Sequence, residues 1–243
     1  MNDFKMFNAL GLSFKSWFRN FVPFTLLAVL LYAPVVVWIV IYDPTKASSP
    51  EDLLNKMFLW PIYLLGGIST LLSPMLTYRV IQDLNGTKVP MWTSVKFGVR
   101  GIIPAMILAI VVNVLQRIPG GGIVGAVLTC VWFVAAPAAV AEQLGVGAAF
   151  NRSTALTRGR RWGIFGLTFL IGLALIGMLF GWIVPMFKEV SMDLTGLRRP
   201  ALLFVGSMGV FQLVMGIAQA VSYALLRQDK DGLNHADLAK VFE

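Results

Sequence analysis

Six stretches of this chain carry no charged side chain: residues 20–42, 57–78, 101–116, 118–141, 162–187 and 200–226. A helix that crosses the hydrocarbon core of a bilayer needs about 20 mostly apolar residues. Five of the stretches meet that length, and the third reaches it with its flanks. The chain therefore reads as all-α: a polytopic six-transmembrane-helix bundle over residues 1–226, with a polar tail over 227–243.

Composition agrees, with 57% apolar residues and a mean hydropathy of +0.76. The loops are too short to hide a separate soluble domain. The formal charge of +8 does not point to nucleic acid, because the Lys and Arg residues sit beside the apolar stretches, as membrane-flanking residues do. Cys130 is the single cysteine and lies inside the fourth stretch, which excludes an intrachain disulfide and a cysteine metal site. His235 is the single histidine. No metal and no cofactor is expected. The first stretch is too long for a signal-peptide core, and Leu31–Tyr32–Ala33–Pro34 makes a poor cleavage site, so it is expected to remain as an anchor.

Assigning alternate loops to opposite sides puts fourteen Lys and Arg residues on one side and six on the other. Positive loops stay inside, so both termini are expected in the cytoplasm. Pro23, Pro104, Pro119 and Pro200 lie near the starts of apolar runs, where a missing N–H is harmless. Pro34, Pro61, Pro74 and Pro137 lie deeper and are expected to kink or break their helices. With Pro61 and Pro74 together, the second span is expected to be the least straight.

A shift of 81 residues brings Ser13, Lys15, Arg19, Pro23, Leu27 and Ala28 onto Ser94, Lys96, Arg100, Pro104, Leu108 and Ala109. A weaker third copy starts at Ala149–Phe150–Asn151–Arg152–Ser153 and runs through Arg160, Arg161 and Trp162. The unit is a basic segment leading into a membrane hairpin, a parallel repeat. Basic residues before apolar spans are common enough for coincidence to stand beside it. Within residues 4–19, Phe7, Leu10, Phe14, Trp17 and Phe18 recur at helical spacing, continuing to Phe21. This spacing predicts an amphipathic helix lying in the headgroup layer, or else packed under the bundle. Phe14, Trp17, Phe18 and Trp162 are the candidate interfacial aromatics.

The segment "IPGGGIVGAVLTCVWFVAAPAAVAEQLGVGAAFNRSTALTRGRRWGIFGL" has a Pro-Gly turn (Pro119, Gly120) and an apolar span ending in Ala136–Pro137. Gly145–Val146, Arg152–Ser153 and Leu156–Thr157 follow. With "SFKSWFRNFVPFTLLAVLL" near the start, it resembles the YciC-like bacterial inner-membrane proteins and the related membrane domain of some glycerophosphoryl diester phosphodiesterases. The resemblance implies a six-helix protein of the bacterial inner membrane. It implies no catalytic residue, because the phosphodiesterase chemistry belongs to a soluble domain of those relatives.

The basic residues Lys15, Arg19, Lys96, Arg100, Arg152, Arg158, Arg160 and Arg161 form a candidate ring for anionic lipid headgroups; topology setting explains them as well. Polar residues inside the spans are Ser69, Thr70, Ser73, Asn113, Gln116, Thr129, Gln212, Gln219 and Ser222. They either line a solute path or hydrogen-bond between helices. No carboxylate, His or Arg lies mid-span to couple ions. The pairs Gly121/Gly125 and Gly177/Gly181 suit close helix packing, within the chain by preference, with room for a membrane-protein partner or a homo-oligomer. In the tail, Asn234 and Asp237 suggest a helix start, with Leu238, Val241 and Phe242 on one side. No enzyme motif is present. The first expectation is a structural, regulatory or accessory membrane protein that contacts membrane lipids; the alternative is a lipid or small-solute translocator.

The threading predicts an even number of crossings. Reporter fusions at Asn2, Ala47, Asn85, Val190 and after Glu243 check it. A periplasmic signal from either terminus contradicts it.

Overall fold

The computed structural model describes residues 5–43, 46, 48–116, 118–189 and 198–232. No strand occurs among them. The helices are α1 (Met6–Arg19), α2 (Phe21–Ile41), α3 (Pro50–Leu54), α4 (Trp60–Leu84), α5 (Met91–Gln116), α6 (Gly121–Val131), α7 (Ala135–Ala141), α8 (Val146–Thr157), α9 (Arg161–Glu189) and α10 (Arg198–Asp231). A π-helical segment, Asn55–Leu59, joins α3 to α4. Six spans are long and apolar enough to cross a membrane: α2, α4, α5, α6 with α7, α9 and α10.

The core lies around α4 and α10. They pack against each other, and between them they contact α1, α2, α5, α7 and α9. Half of the apolar window of α10 is buried (50%), against 17% for α5 and for α9, which therefore form the periphery. Large apolar side chains such as Leu30, Ile103, Ile123 and Phe180 point outward. An all-round apolar exterior suits lipid as its solvent.

The prolines act where the freed backbone can be served. Pro61 falls in the first turn of α4, where its missing N–H is harmless, and the strain is taken up before it by the π-helical segment. Pro34, Pro74 and Pro104 stand inside continuous helices. Beside Pro74, the Ser94 hydroxyl of α5 accepts from the Arg79 N–H at 3.1 Å and donates to the Met75 carbonyl. These are the two ends of one helical rung, so Ser94 is inserted into the ladder of α4. The fourth span breaks into two helices. Pro137 has no N–H for the Phe133 carbonyl, and residues 132–134 leave the helix. There α8 returns hydroxyls: Ser153 and Thr157 each donate to the Val131 carbonyl at 3.0 Å, and Ser153 accepts from Val134 N–H at 3.3 Å.

Backbones approach closely around Pro74. A Cβ added to Gly98 would lie 2.6 Å from the Met75 Cα. One added to Gly101 would lie 2.6 Å from Pro74 Cβ and 2.9 Å from the Ala136 carbonyl oxygen. Glycine is required at both places, and α4, α5 and α7 meet there.

In α1 the buried positions are Ala9, Ser13 and Ser16, packed toward α9 and α10. Phe7 and Phe18 are exposed, and Phe14, Trp17, Phe18 and Phe21 stack on one another at centroid distances of 5.4 to 6.5 Å. Small polar residues thus face the protein and aromatics face away, the reverse of a soluble surface helix. The two segments paired by the repeat differ locally. Asn20 interrupts the first, so Pro23 stands in the first turn of α2, whereas α5 runs unbroken through Pro104. The tail continues α10 as far as Asp231; Asn234, His235, Asp237, Leu238, Val241 and Phe242 lie outside the described residues.

Replacing Ser94 by Ala removes its two hydrogen bonds to α4 and is expected to lower stability by about 1 kcal/mol. Gly101→Leu, which overpacks the α4–α5–α7 contact, is expected to lower it by at least about 1–3 kcal/mol. Thermal unfolding in detergent micelles reads both.

Candidate functional site

Helix α10 carries Gln212 and Gln219 two turns apart on one side, with Gly216 between them. A Cβ on Gly216 would sit 3.1 Å from the Ser73 Cα, so this glycine lets α4 come close and bring Ser73 and Thr70 to the same place. Thr129 of α6, Pro104 of α5 and the broken stretch at Trp132 and Phe133 complete the wall. Together they enclose a partly open cavity of about 200 Å³. Its lining residues fall near the middle of four of the spans.

Three of the polar residues are satisfied by the protein. Thr70 donates to the Gly67 carbonyl at 2.7 Å and Thr129 to the Gly125 carbonyl at 2.8 Å. Ser73 donates to Gln219 Oε1. Among the described residues, the Gln219 amide NH2 and the whole Gln212 amide have no hydrogen-bond partner. Pro74 and Pro137 remove the helical donors of the Thr70 and Phe133 carbonyls, both at the cavity wall. Gln212 and Gln219 are half-buried, and their amides offer donors and acceptors at the wall of this partly open cavity. No charged side chain lines it.

One turn beyond Gln219, the same side of α10 reaches an ionic cluster. The Tyr223 hydroxyl donates to Glu142 Oε1 at 2.9 Å, and Arg227 donates to the Tyr223 oxygen at 3.1 Å. Arg152 of α8 bonds Glu142 through Nε at 2.8 Å and also pairs with Asp231, which Arg227 meets at 3.3 Å. Burial works against the charge of Arg152, but its hydrogen bonds to Asp231 and Glu142 outweigh that and raise its pKa above the ordinary guanidinium value. Glu142 thereby ties α7, α8 and α10 together. The next residue, Gln143, holds a left-handed φ of 54°. Arg160 pairs with Asp229 at 3.0 Å, and Arg19 pairs with Asp83 at 2.6 Å. Arg79 donates to Asn20 Oδ1 at 2.9 Å and to the Val89 carbonyl, with its guanidinium over Phe24.

The eight basic candidates therefore divide. Arg19, Arg152 and Arg160 are held by carboxylates of the chain itself. Lys15, Lys96, Arg100, Arg158 and Arg161 are exposed and form no ion pair among the described residues; Lys96 lies 5.5 Å from the Trp92 ring centroid. Of the interfacial aromatics, Trp162 is 85% exposed, Phe14 and Phe18 are exposed, and Trp17 is half-buried. The glycine pairs also divide. Gly121 and Gly125 pack on the end of α5, where a Cβ on Gly121 would collide with the Leu115 carbonyl. Gly177 and Gly181 have nothing within 4 Å of a Cβ, so the expected packing within the chain is not made there: α9 turns that side outward.

Of the span polar residues, Thr70, Ser73, Thr129, Gln212 and Gln219 converge on the cavity, and Ser222 is buried away from it. The side chains of Ser69, Asn113 and Gln116 lie outside those described. Sequence reasoning met Ser94 as a repeat position and Ser153 and Thr157 as motif positions, but gave none of them this hydrogen-bonding role. The usable signal was a serine or threonine able to face a proline in another span. Among the described residues no group of three His, Cys, Asp or Glu side chains gathers to hold a metal.

No family model, no curated protein and no solved structure matches the chain.

Glu142→Ala leaves Arg152, Arg227 and Tyr223 without their shared acceptor. The group is partly solvated, so a loss of about 1–3 kcal/mol is expected, with Glu142→Gln milder. Thermal unfolding of the detergent-solubilised protein at low salt measures it.

Proposed function

We propose that this chain is an integral membrane protein that takes a small neutral polar molecule into its mid-span cavity and passes it across the bilayer. The observation that carries this reading is the pair of glutamines, Gln212 and Gln219, whose amide donors face the cavity without a protein partner. The glutamine amides offer both donors and acceptors at this wall, a pattern that suits hydroxyl-bearing or amide-bearing solutes. The absence of charge from the wall favours neutral solutes over ions. The broken fourth span supports the same reading, since irregular backbone at membrane depth is tolerated where it lines a cavity. In this proposal the protein lies in a bacterial inner membrane with its arginine-rich end and both termini in the cytoplasm, in line with the charge count.

A second reading, an accessory protein that docks a membrane partner, is favoured by the outward side of α9 with Gly177 and Gly181. Purified protein in liposomes separates the two. Stopped-flow light scattering is expected to show faster entry of glycerol, erythritol or urea than in protein-free vesicles, and no gain for potassium. The variant Gln212→Leu with Gln219→Leu, which removes two hydrogen bonds to the solute, is expected to slow entry about ten-fold. Equal rates with and without protein for all three solutes would leave the accessory reading standing.

A further inference from the structure

At the periphery, α6 and α9 diverge around a second and quite different space. A cleft of about 370 Å³ is lined by Ile123, Val127 and Cys130 of α6 and by Arg161, Trp162 and Phe165 of α9. Apart from Arg161 its wall is apolar. Arg161 opens α9 and is exposed, and Arg158, three residues earlier, is exposed as well. Neither forms an ion pair among the described residues, whereas their neighbour Arg160 is taken by Asp229. The first turn of α9 carries no acidic residue, so its unpaired N–H groups and positive dipole end add to the same local field. Trp162, 85% exposed and in edge contact with Phe165 at 6.0 Å, stands at the rim as interfacial tryptophans do.

We infer that the α6–α9 cleft seats one acyl chain of an anionic phospholipid, whose phosphate is held at the mouth by Arg161 with Arg158. Charge complementarity identifies the occupant. An apolar slot alone accepts any lipid tail, but the Arg161 guanidinium in its wall, with exposed Arg158 three residues earlier in the chain, favours a lipid with net negative charge over a zwitterionic one. Each basic residue near an anionic headgroup contributes modestly, so selectivity needs the pair together with the slot. The site is independent of the mid-span cavity, which shares no lining residue with it.

The single cysteine of the chain lines the cleft, so its reactivity reports occupancy. The full-length protein is placed in nanodiscs of phosphatidylcholine, with or without phosphatidylglycerol, and Cys130 is converted to a mixed disulfide with a small neutral methanethiosulfonate, methanesulfinate leaving. Phosphatidylglycerol is expected to slow modification, and Arg158→Gln with Arg161→Gln is expected to weaken that protection roughly ten-fold in lipid concentration. Lys15→Gln, which removes a cation of the same end away from the cleft, is expected to keep full protection. Membrane surface potential acts on all three proteins alike, so the difference between them isolates the seat. Inorganic phosphate in phosphatidylcholine discs is expected to leave the rate unchanged. Should the double variant fail to fold, native mass spectrometry of the unaltered protein decides, with retained phosphatidylglycerol in excess over phosphatidylcholine expected. Equal protection by both lipids, protection by phosphate alone, or loss of protection in Lys15→Gln would overturn the proposal.

Discussion

Every backbone N–H and C=O in an apolar span has to find a partner inside the protein, because hydrocarbon supplies none. This chain places Pro34, Pro74, Pro104 and Pro137 within its spans, each removing one helical donor, and side chains from other helices bond the backbone near two of them. Ser94 is inserted in the ladder of α4, and Ser153 with Thr157 serves the break between α6 and α7. Ser94 reaches α4 beside Gly98, where the backbones of α4 and α5 come together. The packing of α4 on α5, and of α8 on the break between α6 and α7, is thus coupled to hydroxyl–backbone hydrogen bonds.

The same prolines shape the cavity. A straight fourth span would bring helical wall, not Trp132 and Phe133, to this place. Thr70 and Phe133, whose carbonyls lose a helical donor to Pro74 and Pro137, are wall residues, and α10 adds Gln212 and Gln219 to the same wall. Along α10 the polar line continues through Tyr223 to Arg227 and Asp231, where Glu142 and Arg152 close the corner of α7 and α8. The midpoint of the bundle and its arginine-rich end are therefore mechanically connected through one helix. In soluble proteins such an ion cluster competes with water; at the end of a membrane bundle it also removes arginines from the set that can meet lipid.

Much of the architecture was legible in residue types. Charge-free stretches marked the six spans, and the third did need its flanks, since α5 begins at Met91. The proline positions showed that helices would be disturbed but not in what way: a π-helical segment precedes Pro61, and the helix is interrupted before Pro137. The polar residues of the spans were visible as a set, but their spacing on separate helices carried no information about which would face one another. Ser73 and Gln219 stand 146 positions apart. Likewise the arginines were visible as a ring, while Asp83, Glu142, Asp229 and Asp231, which neutralise part of it, come from distant loops and helix ends.

The amino-acid sequence by itself determined what depends on one segment and its solvent: six apolar helices, their approximate ends, and the concentration of positive charge on one side. Those are local transfer properties, summed residue by residue. Only the tertiary structure decided which glycines touch a neighbour and which face outward, which hydroxyl repairs which proline, which arginines remain free, and that five polar residues enclose one cavity. These depend on distances between residues far apart in the chain. No periodicity within a single helix contains such distances; they emerge when α4 and α10 settle against each other and the remaining helices pack around them.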